Sequence, residues 1–416
     1  VIISSGSTVT VGTVESVSIG THFSPPKGGI EERGDNFIEG MMRFNTDLNT
    51  MEFYNGNEWR QFRYQSDISN SPSSRGLGIF HLGYDGSDLT RLEFVNISSQ
   101  GNSINFGDLT QARRLLGAAS SNTRGVFGGG QSGPAERDTI DYITMQSEGN
   151  AIDFGNLGST RTIHQAFSSS TRAVWGGSYN APGFSNVMEY VEIGTLGNAL
   201  DFGDAVNSGY SSMAVSSPTR GILAGGYTST FFSSIDFFTI ASKGNGTNFG
   251  ELTTERRGGG RASNTIRGIF AGGAQGPGPA YVNRIDYVTI ASAGNAVPFG
   301  DLTYSGTLYA GGTSSHTRGV FMGGYPENVT GTTIQRIDYA SDTSTTSPKG
   351  TMSKSKYFTT ATGSGDYGYI AGGREQHDPG QTDFSSTSTV ERIDFSNDTA
   401  TAAPKGPLAF ATRQCG

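Results

Sequence analysis

The sequence contains a single cysteine, Cys415, among its 416 residues. One thiol excludes an intrachain disulfide and any cysteine-based metal cluster. Charged residues make up only 16%, and the net charge is −8. A surface for nucleic acid or an anionic membrane requires a cluster of Lys and Arg, and the sequence contains no run of these residues. No stretch approaches the roughly 18 apolar residues of a membrane span. We therefore expect neither nucleic-acid binding nor membrane insertion.

Hydrophobic residues are also few, at 34%, whereas glycine occurs 62 times. This composition cannot supply thick helical layers, so it leaves either disorder or many short strands joined by tight turns. The 25 Phe and 17 Tyr residues favour the strands, because disordered chains lack large apolar side chains. An all-β fold is predicted.

One segment recurs along the chain with a period near 50 residues. It reads Thr-Arg-Gly, a short apolar stretch ending in Gly-Gly, a variable loop, Ile-Asp-Tyr, a Gly-Asn turn and Phe-Gly-Asp-Leu, most clearly from Thr123 to Leu157. The anchor position is occupied by Arg75, Arg124, Arg172, Arg220, Arg267, Arg318 and Tyr367. The separations of 49, 48, 48, 47, 51 and 49 residues indicate seven copies of one structural unit.

Each copy is predicted to form four strands, a to d. Strand a follows Asp-Leu, strand b ends in Gly-Gly, strand c begins at Ile-Asp-Tyr, and the Gly-Asn turn leads to strand d. The Gly-Gly pair, the aromatic residue of strand c and the period resemble kelch repeats over about residues 70–416. The resemblance implies a seven-bladed kelch-like β-propeller. Kelch repeats carry a Trp in strand d, whereas this chain has Phe106, Phe154, Phe202, Phe249 and Phe299.

The two ends of the repeat region predict how a propeller would close. The first copy begins at strand b, and the chain ends on a segment, 407–414, that has the pattern of a spare strand a. We expect this segment to complete the first blade, because closure removes exposed sheet edges. The propeller domain is then predicted to span residues 67–416.

Residues 36–66 predict a short β-hairpin segment in front of the propeller. The string from Gly40 to Trp59, Gly-x-Met-Arg-Phe-Asn-Thr-Asp followed by Glu-Phe-Tyr-Asn-Gly and Trp, resembles a module of bacteriophage tail-fibre and other virion appendage proteins, notably of marine and cyanobacterial phages. The resemblance implies attachment to other virion proteins through residues 1–62, and a plain linker is the alternative. The assembly residues would be Met42, Phe44, Phe53, Tyr54 and Trp59. Residues 1–35 are predicted to form an extended N-terminal arm that orders against a partner.

Charges that recur in nearly every copy are predicted to be structural. We expect each arginine to bridge strand b to a carboxylate or to backbone carbonyls of its own or the next blade. The arginines are Arg124, Arg172, Arg220, Arg267 and Arg318, and the recurring carboxylates include Asp141, Asp236, Asp286 and Asp338.

Specificity is expected where the copies differ most, in the loops between strands b and c. These loops combine aromatic rings with Asn, Ser and Asp, a mixture suited to recognising sugars or proteins, although the rings could instead only cap the propeller face. The candidate binding residues are Tyr179, Phe184, Tyr227, Phe231, Phe232, Tyr281, Tyr325, His377 and Phe384. The longest loop, 374–389, is the first choice for a contact.

No catalytic constellation emerges from the sequence. The five histidines lie in different segments without metal-ligand spacing, and Asp85-Gly-Ser-Asp88 has the composition of a turn, with a cation contact as the alternative. We expect no metal, no cofactor and no enzyme activity. The leading hypothesis is a multi-copy or oligomeric phage virion protein that binds a host-surface glycan or protein. The alternatives are a free propeller lectin and a glycan-active enzyme.

Overall fold

The computed structural model describes residues 25–33, 38–47, 50–54, 56, 58–61, 76–99, 101–162, 165–180, 182–207, 209–276, 280–304, 308–325, 332–341, 347–376, 384–397 and 401–413. The chain divides into two compact units, Val1–Gln65 and Ser66–Gly416. Within the described ranges, the 3-10 turn Ile30–Arg33 is the single helical segment, and all other regular elements are strands. The predicted all-β class is confirmed. None of the helical structure described is long and apolar enough to cross a membrane.

The first unit is a small four-stranded sheet. Its strands, in spatial order, are Lys27–Gly28, Met42–Asn45, Thr50–Tyr54 and Trp59–Gln61. Lys27–Gly28 runs parallel to Met42–Asn45, and the other pairs are antiparallel. Residues 25–33 therefore belong to this sheet and its 3-10 turn, and the boundary predicted at residue 35 lies outside the described residues. Residues 1–24 of the predicted arm lie outside the described residues.

A buried carboxylate explains why residues 25–33 join the hairpin. Glu52 is 1% exposed, and its carboxylate accepts hydrogen bonds from Arg33 Nη2 at 2.6 Å and Asn45 Nδ2 at 3.0 Å. Arg43 Nε lies 3.4 Å from the same carboxylate. The hydrogen bonds from Arg33 and Asn45 lower the pKa of Glu52. A charge-assisted network of this kind connects the 3-10 turn to the central strand.

The described part of the second unit contains seven main sheets, numbered 1 to 7 along the chain, and three small sheets formed by short loop strands. Sheets 2 to 7 have the antiparallel order a-b-c-d, and sheet 1 has the order b-c-d. The a strands of sheets 2 to 7 are Gly117–Ser120, Gln165–Ser168, Met213–Ser216, Gly260–Ser263, Gly311–Ser314 and Thr360–Gly363. The b strands of sheets 1 to 7 are Leu77–His81, Arg124–Gly128, Arg172–Gly176, Arg220–Tyr227, Arg267–Ala271, Arg318–Met322 and Tyr367–Ala371.

The remaining strands follow the same order. The c strands of sheets 1 to 7 are Arg91–Asn96, Ala135–Thr144, Val187–Glu192, Phe231–Thr239, Arg284–Thr289, Thr333–Asp338 and Val390–Asp394. The d strands are Ile104–Asp108, Ile152–Arg161, Leu200–Asp204, Thr247–Glu251, Val297–Asp301, Ser347–Thr351 and Ala403–Pro404. Short strands in the b–c and d–a loops are Gln131–Ser132, Ser178–Asn180, Gly183–Ser185, Ala274–Gln275, Ala280–Tyr281, Lys356–Tyr357, Arg374–Gln376 and Phe384–Ser386.

Apolar clusters join each sheet to the next. Six clusters connect sheets 1–2, 2–3, 3–4, 4–5, 5–6 and 6–7 in turn. A further cluster packs Phe80 and Val95 of sheet 1 against Tyr369 and Val390 of sheet 7. The first and last sheets are therefore neighbours in space. Many small sheets packed face to face in this way are compatible with a β-propeller-like fold.

The phenylalanine of strand d lies at the centre of these contacts. Phe106, Phe154, Phe202, Phe249 and Phe299 are each at most 3% exposed, as expected for residues that replace a packing Trp. Phe154 lies in a β-bulge, since Ile140 pairs with Gly155 and Asp141 with Asp153. The bulge turns the phenylalanine toward the interior. Its ring meets the ring of Tyr142 edge to face, with the centroids 5.8 Å apart.

The Gly-Asn turn connects neighbouring sheets as well as strands c and d. Asn150 Oδ1 accepts a hydrogen bond from the backbone N–H of Asp108 in the preceding sheet, at 3.1 Å. Asn198, Asn245 and Asn295 make the same contact at 3.0–3.1 Å. Sheets 6 and 7 have a different contact, in which a lysine donates a hydrogen bond to a carbonyl of the following sheet. Lys405 Nζ, for example, donates to the Asn96 carbonyl of sheet 1 at 2.8 Å.

In its described part, which ends at Arg413, the C-terminal segment contacts sheet 1 without forming a strand a. The backbone N–H of Ala409 donates to the Glu93 carboxylate, and Arg413 forms a backbone bridge with Tyr84. This bridge is equivalent to Arg114–Gln131 in sheet 2, where strand a begins three residues later, at Gly117. Residues 407–413 therefore correspond to the lead-in to a strand a. This corrects the prediction that residues 407–414 are the strand itself, and Gln414 lies outside the described residues.

Candidate functional site

The recurring arginines connect each sheet to the next one. Arg124 Nη1 donates to the Ile193 carbonyl of sheet 3 at 2.9 Å, and its guanidinium lies 4.6 Å from the centre of the Tyr142 ring. Arg172, Arg220 and Arg267 make equivalent bonds to sheets 4, 5 and 6 at 2.7–3.1 Å. Arg318 bonds the Phe395 carbonyl of sheet 7. These contacts stabilise the assembly of the sheets.

The recurring carboxylates have other partners. Asp141 pairs with Arg113 and Asp286 with Arg256, at 2.9 and 3.0 Å, and all four side chains are fully buried. Both guanidinium groups precede a strand a, and neither belongs to a strand b. Asp338 does not share this position. The residue of sheet 6 at this position is Gln335, whose Oε1 accepts a hydrogen bond from the N–H of Thr303 at 2.6 Å. The Asp338 carboxylate instead lies 3.4 Å from Arg318 Nε.

Asp236 occupies the same position in sheet 4 but has no cationic partner among the described residues. The residue equivalent to Arg113 is Gly209. Asp236 is 4% exposed, its Oδ2 accepts from the N–H of Val206 at 2.8 Å, and its Oδ1 has no hydrogen-bond partner. Burial raises the pKa of Asp236 to about 6. This perturbation comes from desolvation within a repeated structural position, not from a catalytic cluster.

The b–c loops and d–a segments meet at one end of each sheet. Backbone bridges join Tyr210 to Tyr227, Leu308 to Tyr325 and Thr162 to Tyr179, each pairing the lead-in to strand a with the residue after strand b. Two variable parts of each repeat therefore lie side by side. This end of the sheets is called the loop face.

Sheets 3 to 5 form one aromatic–arginine patch on the loop face, consisting of Tyr179, Phe184, Tyr210, Tyr227, Phe231 and Arg257. The rings of Phe184 and Tyr210 are stacked, with an interplanar angle of 7° and centroids 5.5 Å apart. Tyr227 meets Phe184, Tyr210 and Phe231 edge to face. The Arg257 guanidinium lies 5.1 Å from the Tyr210 ring and 4.9 Å from the Tyr227 ring, and it bonds the Tyr210 hydroxyl. All six side chains are partly exposed.

A second cluster on the loop face involves sheets 5 to 7. Tyr325 is 36% exposed and contacts both Tyr281, at 5.9 Å, and Tyr357, at 5.4 Å between ring centroids. Tyr309 and Phe358 stack at 4.4 Å. Their φ angles are 57° and 52°, in the left-handed region that side-chain-bearing residues rarely adopt. Such backbone conformations cost free energy and persist only where surrounding structure holds them.

The other predicted loop residues have different surroundings. Phe232 packs beside Gly226, where an added Cβ would approach the Phe232 ring to 2.5 Å. Phe384 lies in a short strand that pairs with Arg374–Gln376, and His377 lies outside the described residues. Asp85 forms a turn with Ser87, and Asp88 pairs with Arg114 at 2.6 Å. Among the described residues, no group of three His, Cys, Asp or Glu side chains could hold a metal.

Five of the eleven residues in these two clusters were not predicted from the sequence. They lie in d–a segments, whereas the predicted residues lie in b–c loops, and they are Tyr210, Arg257, Tyr309, Tyr357 and Phe358. The signal was nonetheless present, because the d–a segments also differ from copy to copy.

Comparisons with known proteins add one finding on the fold. No protein-family model matches the chain, and no curated protein does. A solved structure described as the structure of YjhT is similar, with a TM-score of 0.53. The identity is 10%, and the alignment covers 72% of this chain and 98% of that one. At this identity the similarity concerns the fold alone.

The aromatic–arginine patch combines two kinds of chemical group that are partly exposed to solvent. Partly exposed rings present flat apolar faces, and the guanidinium and phenol groups supply directional hydrogen bonds. Stacked rings already in contact lose little side-chain freedom when a ligand binds. The patch can therefore recognise a sugar face or a protein side chain.

Proposed function

We propose that this chain is a phage virion structural protein, a tail-fibre or other appendage subunit present in several copies. The first unit would dock on the particle, and the second would face outward for host-surface recognition. The second unit would be a closed, seven-bladed kelch-like β-propeller whose blades are sheets 1 to 7. The apolar cluster between sheets 1 and 7 supports closure.

The observation that carries the docking proposal is the apolar surface of the first unit. Ile38, Met41 and Met42 are 73%, 42% and 48% exposed. A sheet of four short strands has little core of its own, and neighbouring exposed apolar residues are typical of a protein–protein contact. Phe44, Phe53, Tyr54 and Trp59 are only partly exposed, so they support this surface from within the sheet.

Purified particles from the source test the docking proposal. Mass spectrometry should identify the chain in virions, and electron microscopy should locate it. A full chain carrying Met41→Asp and Met42→Asp should fold but lose incorporation, whereas Ile266→Asp, at a 61% exposed residue of the second unit, should be incorporated normally. Absence of the wild-type chain from purified virions would reject the proposal.

The alternative function is that of a free lectin, which the aromatic–arginine patch favours. A glycan array probed with the full chain and with Arg257→Ala separates the two functions. A lectin should bind glycans without any association with particles, and the variant should bind them less. A chain that is found in virions and whose propeller binds host-surface glycans combines both activities and supports the appendage proposal.

A further inference from the structure

A cavity of about 720 Å³ is lined mainly by the a strands of sheets 2 to 7 and the residues beside them, and none of its lining residues belongs to the loop-face clusters. Its wall is mostly built from small residues, including Ala118, Ser168, Ser263 and Thr362. Such a volume is in the range of small-molecule sites. The cavity is therefore large enough for a ligand, provided that its wall offers specific contacts.

One residue of the a strands differs in size and charge from the residues at the same position in the other sheets. At the second position of strand a, sheets 2 to 7 carry Ala118, Ala166, Ala214, Arg261, Gly312 and Ala361, respectively. Five sheets thus have Ala or Gly where sheet 5 has Arg261. The neighbouring strand accommodates it, because a Cβ at Gly312 would collide with the backbone of Arg261. A departure from an otherwise uniform position indicates a role other than building the sheets.

Arg261 has no counter-charge in the part of the chain that the structure describes. It lines the cavity and makes no hydrogen bond or ion pair with the described residues, and those that line the cavity include no Asp or Glu. Arg261 is exposed to the cavity, so a ligand that enters the cavity can reach its guanidinium. A guanidinium that is always charged and has no carboxylate beside it attracts an anion, and its planar fork fits a carboxylate.

Another part of the wall is apolar. Sheet 1 has no strand a in its described part, so Leu77 and Ile79 of its strand b line the cavity directly, together with Ile143 and Met145 of sheet 2. The apolar clusters place the sheets in a cyclic order. In this order, sheets 6 and 7 lie between sheet 5 and sheet 1, and sheets 3 and 4 lie between sheet 5 and sheet 2. The apolar wall therefore faces the strand that carries Arg261.

We propose that this cavity binds a small organic acid whose carboxylate pairs with the Arg261 guanidinium while its apolar body lies against Leu77 and Ile79. A planar guanidinium matches a carboxylate through two parallel hydrogen bonds, and nearby Ser and Thr hydroxyls can donate to the same oxygens. The proposal concerns a site separate from the loop face and does not depend on attachment to a virion.

Calorimetric titration of the full chain tests this site with benzoate, benzamide and inorganic phosphate as probes. Benzoate should bind. Benzamide, which lacks the negative charge, and phosphate, which lacks the apolar body, should each bind at least about tenfold more weakly. Arg261→Gln should weaken benzoate binding by a similar factor. Arg284→Gln removes the same charge from an exposed ion pair with Asp301 and should leave binding unchanged.

Stability provides a second readout. Because Arg261 has no counter-charge, Arg261→Gln should not lower the melting temperature of the unliganded chain, so loss of binding cannot be attributed to unfolding. Benzoate should raise the melting temperature of the wild type but not of this variant. Equal binding of benzoate and benzamide, equal binding of phosphate, or full binding by Arg261→Gln would overturn the proposal.

Discussion

The carboxylate of Asp141 lies 2.9 Å from the guanidinium of Arg113, and neither side chain is exposed to solvent. The same carboxylate accepts a hydrogen bond from the Thr110 hydroxyl at 2.6 Å. One charged group thereby fixes the segment that leads from strand d of sheet 1 to strand a of sheet 2. Similar pairs recur at Arg256–Asp286 and at Lys356–Glu391.

Asp141→Ala should lower the free energy of unfolding by about 3–5 kcal/mol, because it leaves Arg113 buried without a counter-charge. Denaturant unfolding followed by circular dichroism measures the change. Asp301→Ala is the matched control, since its pair with Arg284 is about half exposed and should contribute less than about 1 kcal/mol. Equal effects of the two substitutions would contradict this account.

Asp236→Asn should stabilise the protein at pH 7 by roughly 1–3 kcal/mol. The pKa of Asp236 in the folded chain, about 6, lies above its ordinary value of 3.8. The folded state therefore binds the proton more tightly than the unfolded state does. The free energy of unfolding that this tighter binding contributes is lost as pH rises from about 4 to 6. Asparagine removes this loss, as the neutral Gln335 does in sheet 6.

Melting temperatures measured between pH 4 and 7.5 check the prediction for Asp236. The difference between wild type and Asp236→Asn should be small near pH 4 and should reach a plateau above pH 6.5. A difference that does not depend on pH would show that Asp236 is not the titrating group.

Gly155→Ala should destabilise the protein more than Gly149→Ala. Both residues have a left-handed φ, 144° and 152°, so backbone strain is similar. At Gly155, however, a Cβ would lie 2.5 Å from the Gly197 carbonyl of the next sheet, whereas at Gly149 no atom lies within 4 Å. We expect an additional cost of about 1–3 kcal/mol at Gly155, as for overpacking elsewhere. Parallel denaturation curves of the two variants provide the measurement.

Deletion of residues 407–416 should lower the melting temperature sharply. The segment buries Leu408 between sheets 7 and 1 and supplies the Ala409 and Arg413 contacts. Arg413→Ala keeps the backbone bridge to Tyr84 and should have a much smaller effect. If the truncated chain melts like the wild type, the contact between sheets 7 and 1 does not depend on this segment.

The repeat was readable from sequence because its physical requirements are local. Gly-Gly pairs mark backbone positions with positive φ, such as 66° and 101° at Gly129 and Gly130, and few other residues accept them. The phenylalanines of strand d were assigned to packing for the same reason, because five copies repeat one large apolar residue at that position.

Contacts between copies could not be read in the same way. Arg124 bonds Ile193, which is 69 residues away, and Asp141 bonds Arg113 rather than Arg124. Spacing along one repeat does not reveal which neighbour lies across the interface. The loop-face clusters were predicted only in part, because each one combines a b–c loop with d–a residues that approach it only after the sheets assemble.

The absence of a strand a from the described part of sheet 1 has a consequence for the dynamics of this sheet. Strand b of this sheet, Leu77–His81, bonds strand c on one side, and no described strand covers its other edge. Its alternate amide groups therefore have no strand partner among the described residues, unlike those of the other b strands. Amide hydrogen exchange should therefore be fastest here among the seven b strands, which would make sheet 1 the point where local opening of the second unit begins.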